Sequence, residues 1–332
     1  MFISVIRRKE GVPIPDITAI GEILIDLTQI GTDPHGNGLF AAYPGGAPAN
    51  VAVAAARLGA SCAFLGKVGK DGFGDTLVRT LQDNCVDASG VCRGDLPTTL
   101  AAVTISPQGE RSFRFLRGAD QTLTNREVEA HLPQRTTFLH FGSVSLTAGL
   151  SRSATIYAAR QARAKGILVS FDPNYRPALW PSQESAIQWM TLPLPLVDLL
   201  KVSDEELPLL TGTTDLKEGS LALARHGIRL VLVTLGDKGV FYRWQDSCGL
   251  VPGVSVKVAD TNGAGDTFLG AVLSRLARRP GGPLEDLFPA ELEEILSFAN
   301  HAAALTCSRS GAIPAMPSLA ELESFLHTKQ GS

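Results

Sequence analysis

The 332-residue chain has no apolar run approaching the ~20 residues that a membrane-spanning helix needs. It has no basic block, and a formal net charge of -3 gives no reason to expect a nucleic-acid or anionic-membrane surface. Its five cysteines, Cys62, Cys85, Cys92, Cys248 and Cys307, are scattered and form no C-x-x-C pair. That excludes a thiolate zinc site and a disulfide framework, and leaves reduced thiols in a cytoplasmic protein as the plain expectation. No G-x-x-x-x-G-K-[ST] loop occurs, so the chain is not a P-loop NTPase. Gly263-Ala264-Gly265 is followed by Phe268 where a dinucleotide fingerprint needs its third glycine, which disfavours a nicotinamide enzyme. G-x-S-x-G and H-E-x-x-H are missing as well. The apolar stretch in Met1–Lys9 is too short for a signal peptide, and its charges follow it; a loose extension is expected.

What is present is a 44% hydrophobic content, ample for a large core. Apolar segments at Ile17–Leu27, Ser61–Val68, Thr137–Val144, Ile167–Asp172, Val197–Val202 and Leu230–Leu235 read as buried strands. Helical patterns at Ala47–Leu58, Ser151–Lys165, Leu216–His226 and Gly265–Ala277 alternate with them. Such alternation predicts βαβ units around a mostly parallel sheet. Ser318 and Glu321 form a capping-box pattern ahead of a last helix at Leu319–His327.

Two excursions interrupt this rhythm. Thr98–Ser106 and Glu110–Arg117 read as a hairpin turning at Pro107-Gln108-Gly109, and Thr28–Tyr43 is a polar insertion. Together they are expected to form a small sheet outside the main layer, with Phe113, Phe115 and Arg117 on one face. There is no internal repeat or low-complexity linker. One domain over residues 1–332 is expected, with lid excursions at about 28–45 and 98–118.

The chemistry concentrates at Asp260-Thr261-Asn262-Gly263-Ala264-Gly265-Asp266, a glycine turn running straight into an apolar helix. Glycines admit close approach of a ligand, and the unpaired N–H groups of a first helical turn hold an anion. A carboxylate beside such an anion site makes sense if Asp266 takes a proton from an alcohol while the amides hold a phosphoryl group. Gly45-Gly46-Ala47-Pro48-Ala49-Asn50 opens another helix, and Asn50 suits a polyol. Asp26 ends the first apolar strand, where α/β sheets bind ligands, and its carboxylate would accept two sugar hydroxyls. Arg176, in Asp172-Pro173-Asn174-Tyr175-Arg176, has the fork that clamps phosphate or carboxylate. The Thr234–Gly239 turn has glycines suited to lying along a nucleotide, and the acidic helix start after Lys201-Val202-Ser203 suits a hydrated magnesium ion. Taken singly, each of these last four also reads as ordinary structure: a solvated strand end, a surface arginine, a turn, a helix cap.

In this order the residues resemble the ribokinase-like, or PfkB, carbohydrate kinases. Two motifs carry the resemblance: Gly45–Asn50 running on to Gly74, and Asp260–Asp266. It spans about Ile17 to Pro317 and is strongest toward fructokinases, through Gly21-Glu22-Ile23-Leu24-Ile25-Asp26, Arg117-Gly118-Ala119-Asp120, His140-Phe141-Gly142-Ser143, Asp172–Arg176 and Lys201-Val202-Ser203. The resemblance implies a three-layer α/β/α sandwich with a small β-sheet lid, acting on ATP and a sugar, most naturally D-fructose. Ribose, 2-keto-3-deoxygluconate or a nucleoside would fit other members, and a non-catalytic sugar-binding protein is the reading from a different class. The family role of Asp266 would be the catalytic base, with the amides of Gly263, Ala264 and Gly265 stabilising charge. Asp26, Gly45, Gly46, Asn50, Phe115, Arg117 and Arg176 would hold the sugar. Asn174, Arg176, Thr234, Gly236, Gly239, Gly263 and Gly265 would meet nucleotide phosphates, with Asn300 and Ala303 nearer the base. Glu206 would hold Mg²⁺ through water, although Ser203 stands where many relatives have asparagine in that motif. Asp260, Asn262 and the 308–311 loop are where K⁺ would bind. A homodimer through the lid is also implied.

Overall fold

The first apolar run does not stay in one sheet. In the computed structural model, which describes residues 14–105 and 111–330, strand β1 is only Ile17–Ile20. Gly21 then takes φ +151, and a Cβ there would lie 2.7 Å from the ring of Pro48. The chain turns out of the main sheet, and β2 (Leu24–Thr32) belongs to a second sheet. Asp26 therefore lies on the small sheet, not at the carboxyl end of a central strand as expected. The apolar run is continuous because β2 opens with residues buried against the main body, so hydrophobicity alone does not mark the break.

From there the elements follow as β3 (Gly38–Gly45), α1 (Ala47–Arg57), β4 (Cys62–Gly69), α2 (Gly72–Asp83), β5 (Val86–Gly94), β6 (Leu100–Ile105), β7 (Arg111–Leu116) and α3 (Asn125–His131). Next come β8 (Phe138–Gly142), α4 (Gly149–Ala164), β9 (Leu168–Asp172), α5 (Gln183–Thr191), β10 (Leu199–Ser203), α6 (Glu206–Thr211) and α7 (Leu216–Ala224). The chain ends through β11 (Leu230–Thr234), β12 (Gly239–Trp244), β13 (Ser247–Pro252), α8 (Ala264–Ala277), α9 (Pro289–Cys307) and α10 (Leu319–Gln330). Among the described residues the main sheet has nine strands in the order β13-β12-β11-β10-β9-β8-β1-β4-β5. Only β12 runs against the others.

Alternation along the strands divides the core between two faces. Leu230 and Leu232 pack with buried residues of α1, α8, α9 and α10. Val231 and Val233 face the opposite layer, with Ala158 of α4, Met190 of α5 and Leu223 of α7. Helices on both faces explain why these strands are apolar throughout. Fully burying side chains such as Phe64 and Phe171 contributes about 1.5–3 kcal/mol each. The ribokinase-like three-layer sandwich is thus observed.

The two excursions do pair. The small sheet has the order β3-β2-β6-β7, with β2 and β6 parallel and the other pairs antiparallel. The expected turn at Pro107-Gln108-Gly109, the side chain of Phe113 and the Met1–Lys9 extension lie outside the described residues. The capping box of α10 forms as read: the Ser318 amide donates to Glu321 Oε2 at 2.8 Å, and the Glu321 amide donates to Ser318 Oγ at 3.3 Å. The structure adds β5, β13, α2, α3, α5 and the 19-residue α9, which the sequence patterns above do not single out. The buried positions Leu292, Ile295, Leu296 and Ala299 of α9 do carry helical spacing, so that helix has a signal in the sequence.

Candidate active site

Gly263 caps α8 in a left-handed conformation, φ +77, with no side-chain cap. A Cβ at this position would lie 3.1 Å from Ala312, so glycine fits both the angle and the neighbour. The turn delivers Asp266 to the first turn of α8, where it is buried at the floor of a cavity of about 780 Å³. Gly263 and Gly265 line the same cavity, and Ala264 does not; its amide makes a turn bond to Thr261 O at 3.3 Å. Asp266 is held by two amides: Asn50 Nδ2 donates to Oδ2 at 2.8 Å, and Asn174 Nδ2 donates to Oδ1 at 3.3 Å. Burial pushes the Asp266 carboxyl up to about 6; Asn50, Lys201 and Arg176 pull it down, and Asp172 pushes it further up.

The βα turn after β9 supplies the second wall. Asp172 Oδ1 accepts the amide of Asn174 at 3.1 Å, while Asp172 Oδ2 accepts from Lys201 Nζ at 2.9 Å. Asn174 takes φ +44, which asparagine tolerates better than most residues. Glu206 is fixed by the amides of Tyr175 at 2.7 Å and Ser203 at 2.8 Å. Arg176 is an exposed residue that nonetheless lines the cavity, close enough to Asp26 and Asp266 to lower both.

The small sheet forms the roof, with Leu24, Asp26, Thr28, Tyr43 and Phe115 lining it. Burial pushes Asp26 up to about 6, with Arg176 opposing and Asp266 reinforcing. Gly45 is flush against Asp26, since a Cβ there would overlap Oδ2. Gly46 takes φ +109, and its Cβ would lie 2.6 Å from Glu22 O. Asp260 ties the far wall together, accepting the Asn262 amide at 3.0 Å and the Gly311 amide at 3.2 Å.

Not every expected site residue reaches this cavity. Arg117 points into the protein: Nε and Nη2 donate to Asp120 Oδ2 at 2.9 and 2.5 Å, and Nη1 donates to Thr147 Oγ1 at 2.7 Å. Thr234, Gly236, Gly239, Asn300 and Ala303 do not line it. Gly239 is also explained by packing, because a Cβ there would overlap Val251 O and Gly253 N. Asn300 Nδ2 donates to Pro252 O at 2.9 Å, tying α9 to the end of β13.

Two buried charged residues without an expected role, Glu22 and Lys201, also line the cavity. Glu22 accepts the Ala47 amide at the start of α1 at 3.1 Å, while its Oε2 is buried with no partner. Burial pushes its carboxyl up to about 7. Lys201 is the other, buried beneath the glycine turn. Both sit in stretches that support the family resemblance, and an acid or amine inside an apolar strand pattern is the signal that marks them.

Comparison with known proteins agrees with this geometry. The model of the pfkB family carbohydrate kinases matches residues 15–319. Fructokinase-1 of Oryza sativa subsp. japonica is 43% identical over 312 residues, covering 92% of this chain and 96% of that protein. The structure of fructokinase from Xylella fastidiosa with bound ATP superposes with a TM-score of 0.88 at 34% identity, over 96% of this chain and 100% of that one. Fructokinase from Vibrio cholerae O395, in its form with fructose, ADP and calcium ion, gives 0.82 at 37% identity, over 93% and 98%. A match across nearly the whole chain, together with a carboxylate set in a helix-capping glycine turn, establishes that this chain belongs to the pfkB family of carbohydrate kinases.

Proposed function

We propose that this protein is an ATP-dependent fructokinase, transferring the γ-phosphoryl group of ATP to the 6-hydroxymethyl of D-fructose. The carrying observation is Asp266, buried at the first turn of α8 in one cavity with Asp26 and Asn50. The fructokinase relatives support fructose over ribose or 2-keto-3-deoxygluconate. In the reaction the hydroxyl proton passes to Asp266. The freed oxygen bonds to the γ-phosphorus, and the bridging P–O bond breaks with its electron pair leaving on ADP. The first-turn amides at Gly263 and Gly265 hold the transferring group, and Asp26 with Asn50 orients the sugar. Positioning and charge stabilisation supply most of the acceleration in phosphoryl transfer.

The chain works as one domain, with the small sheet as its lid. Closure excludes water from the γ-phosphate, which would otherwise be lost to hydrolysis. Asn174, Arg176, Thr234, Gly236 and Gly239 serve the phosphates, with Asn300 and Ala303 nearer the base. Mg²⁺ would neutralise charge on the phosphates when bound. Glu206 fits its role, since two backbone amides fix its carboxylate beside the cavity. Among the described residues no three His, Cys, Asp or Glu side chains gather to cage an ion, so it would be held through water. Asp260, Asn262 and the 308–311 loop, joined by the Asp260 carboxylate, are the proposed K⁺ site. Ile30, Leu39 and Phe40, exposed on the small sheet, favour a homodimer through the lid, which gel filtration at several concentrations tests. Five free thiols favour a reducing, cytoplasmic setting. ADP release measured across fructose, ribose, 2-keto-3-deoxygluconate and adenosine tests the substrate. A higher kcat/KM on any of the other three would overturn fructose.

A further inference from the structure

Lys201 sits on β10, 6% exposed, with its ammonium 2.9 Å from Asp172 Oδ2 on the neighbouring strand. A buried ion pair is a weak device for stability, because desolvation offsets most of the attraction. Apolar residues would pack at these two positions without that cost, so the pair calls for another purpose. Its surroundings supply one. Lys201 lines the cavity beneath the glycine turn, and a Cβ built on Gly265 would lie 3.3 Å from Nζ. The other oxygen of Asp172 accepts the Asn174 amide at 3.1 Å, closing the turn in which Asn174 takes φ +44. That turn brings Asn174 Nδ2 to Asp266 Oδ1 at 3.3 Å.

The charges facing Asp266 are Lys201 of β10, Asp172 at the end of β9, Arg176 of the following turn and Asp26 of the small sheet. Glu206 of α6 faces Lys201 in turn. Without Lys201 a buried carboxylate would face two others, opposed only by an exposed arginine. Burial works against the charge of Lys201, but Asp172 and Glu206 outweigh it and hold the ammonium above its ordinary value.

We propose that Lys201 is a positioning residue for phosphoryl transfer: through Asp172 it holds Asn174 against Asp266, and its ammonium keeps Asp266 ionised to receive the hydroxyl proton. This rests on Asp266 being the base. The test is the pH profile of kcat/KM for fructose in Lys201→Met, Lys201→Arg and Asp172→Asn, with Asp266→Asn as reference. Lys201→Met moves the acid limb to higher pH, each pH unit of movement costing about tenfold in rate on that limb. The KM for ATP stays close to the parent value. Lys201→Arg, which keeps the charge, keeps the limb near its parent position. Asp172→Asn moves it to lower pH. A folded Lys201→Met protein with an unmoved limb overturns the proposal. If Lys201→Met does not fold, an unmoved limb in Asp172→Asn does so instead. Asp266→Asn separates the two claims: if it turns over normally the base itself is wrong, and if it is inactive beside an unmoved limb only the role of Lys201 is.

Discussion

Asn50 donates a 2.8 Å hydrogen bond to Asp266 across 216 residues of sequence. The bond joins the two glycine motifs, since Asn50 lies in the first turn of α1 and Asp266 in the first turn of α8. The two helices can approach because Gly270 has no side chain: a Cβ there would lie 2.7 Å from Ala54 Cβ and 2.8 Å from Val51 O. One cavity therefore receives an amide and a carboxylate from distant parts of the chain.

A first prediction concerns Asp266 itself. The substitution Asp266→Asn keeps the shape but leaves one accepting oxygen for the two neighbouring amides, and it cannot take the proton. Loss of a well-placed general base costs on the order of 10²–10⁴ in rate. ADP release should fall by that factor while calorimetry still shows ATP binding. Turnover within a few-fold of the parent, in a folded protein, would remove Asp266 from the role of base.

The same burial sets a pH dependence of stability. Glu22 is pushed up to about 7, and Asp26 and Asp266 up to about 6, in each case chiefly by desolvation. A carboxyl raised in the folded state contributes stability fully present below its ordinary value of about 4 and lost as pH rises through the raised one. The ligand-free protein should therefore lose this contribution between about pH 4 and pH 7. Asp266→Asn relieves its share, on the order of 2–3 kcal/mol at pH 8. Thermal melts should show a larger gain for Asp266→Asn at pH 8 than at pH 5. Equal gains at both pH values would refute burial as the cause.

The parts of this site that sequence reveals are those set by local chemistry. The turn Gly263–Asp266 and the pair Gly45-Gly46 are legible because glycines there answer local needs, a positive φ or a close approach. The central strands Leu230–Thr234 and Leu199–Ser203 are legible because burial on both faces makes them continuously apolar. The break at Gly21 is not, because apolar residues continue across it into a different sheet. The internal bonds of Arg117 are not, because the acceptor at Thr147 lies 30 residues away and only the folded chain brings it near. Lys201 stands out as an amine in an apolar strand, but its pairing is not legible, because Asp172 lies one strand over.

Arg117 leads to a prediction about stability. Its guanidinium and the carboxylate of Asp120 are both almost fully buried. Removing one member of such a pair strands the other charge and costs about 3–5 kcal/mol. Arg117→Ala should lower the denaturation midpoint accordingly, with any loss of fructose affinity following from the disturbed fold. The double substitution Arg117→Leu with Asp120→Leu should recover most of that stability. A stable Arg117→Ala protein with a raised KM for fructose would instead return Arg117 to direct sugar contact.

The paired glycines of the first motif should respond in opposite ways to the same change. Gly46 has φ +109, and its added Cβ would meet the backbone oxygen of Glu22 at 2.6 Å. Backbone cannot swing aside, so Gly46→Ala should destabilise the fold. Gly45 has no positive φ, and its added Cβ would meet only the side-chain carboxylate of Asp26 and, farther off, Leu24. Asp26 can rotate away, so Gly45→Ala should fold with little loss of stability while displacing the carboxylate from the cavity. Hydrogen bonds to a charged group contribute about 1.5–3 kcal/mol, so the KM for fructose should rise roughly 10- to 100-fold. The KM for ATP should change little, because Asp26 is proposed to meet the sugar and not the phosphates. Steady-state kinetics in each substrate, beside thermal melts of both variants, separates the two outcomes. An unchanged KM for fructose in Gly45→Ala would show that Asp26 does not hold the sugar.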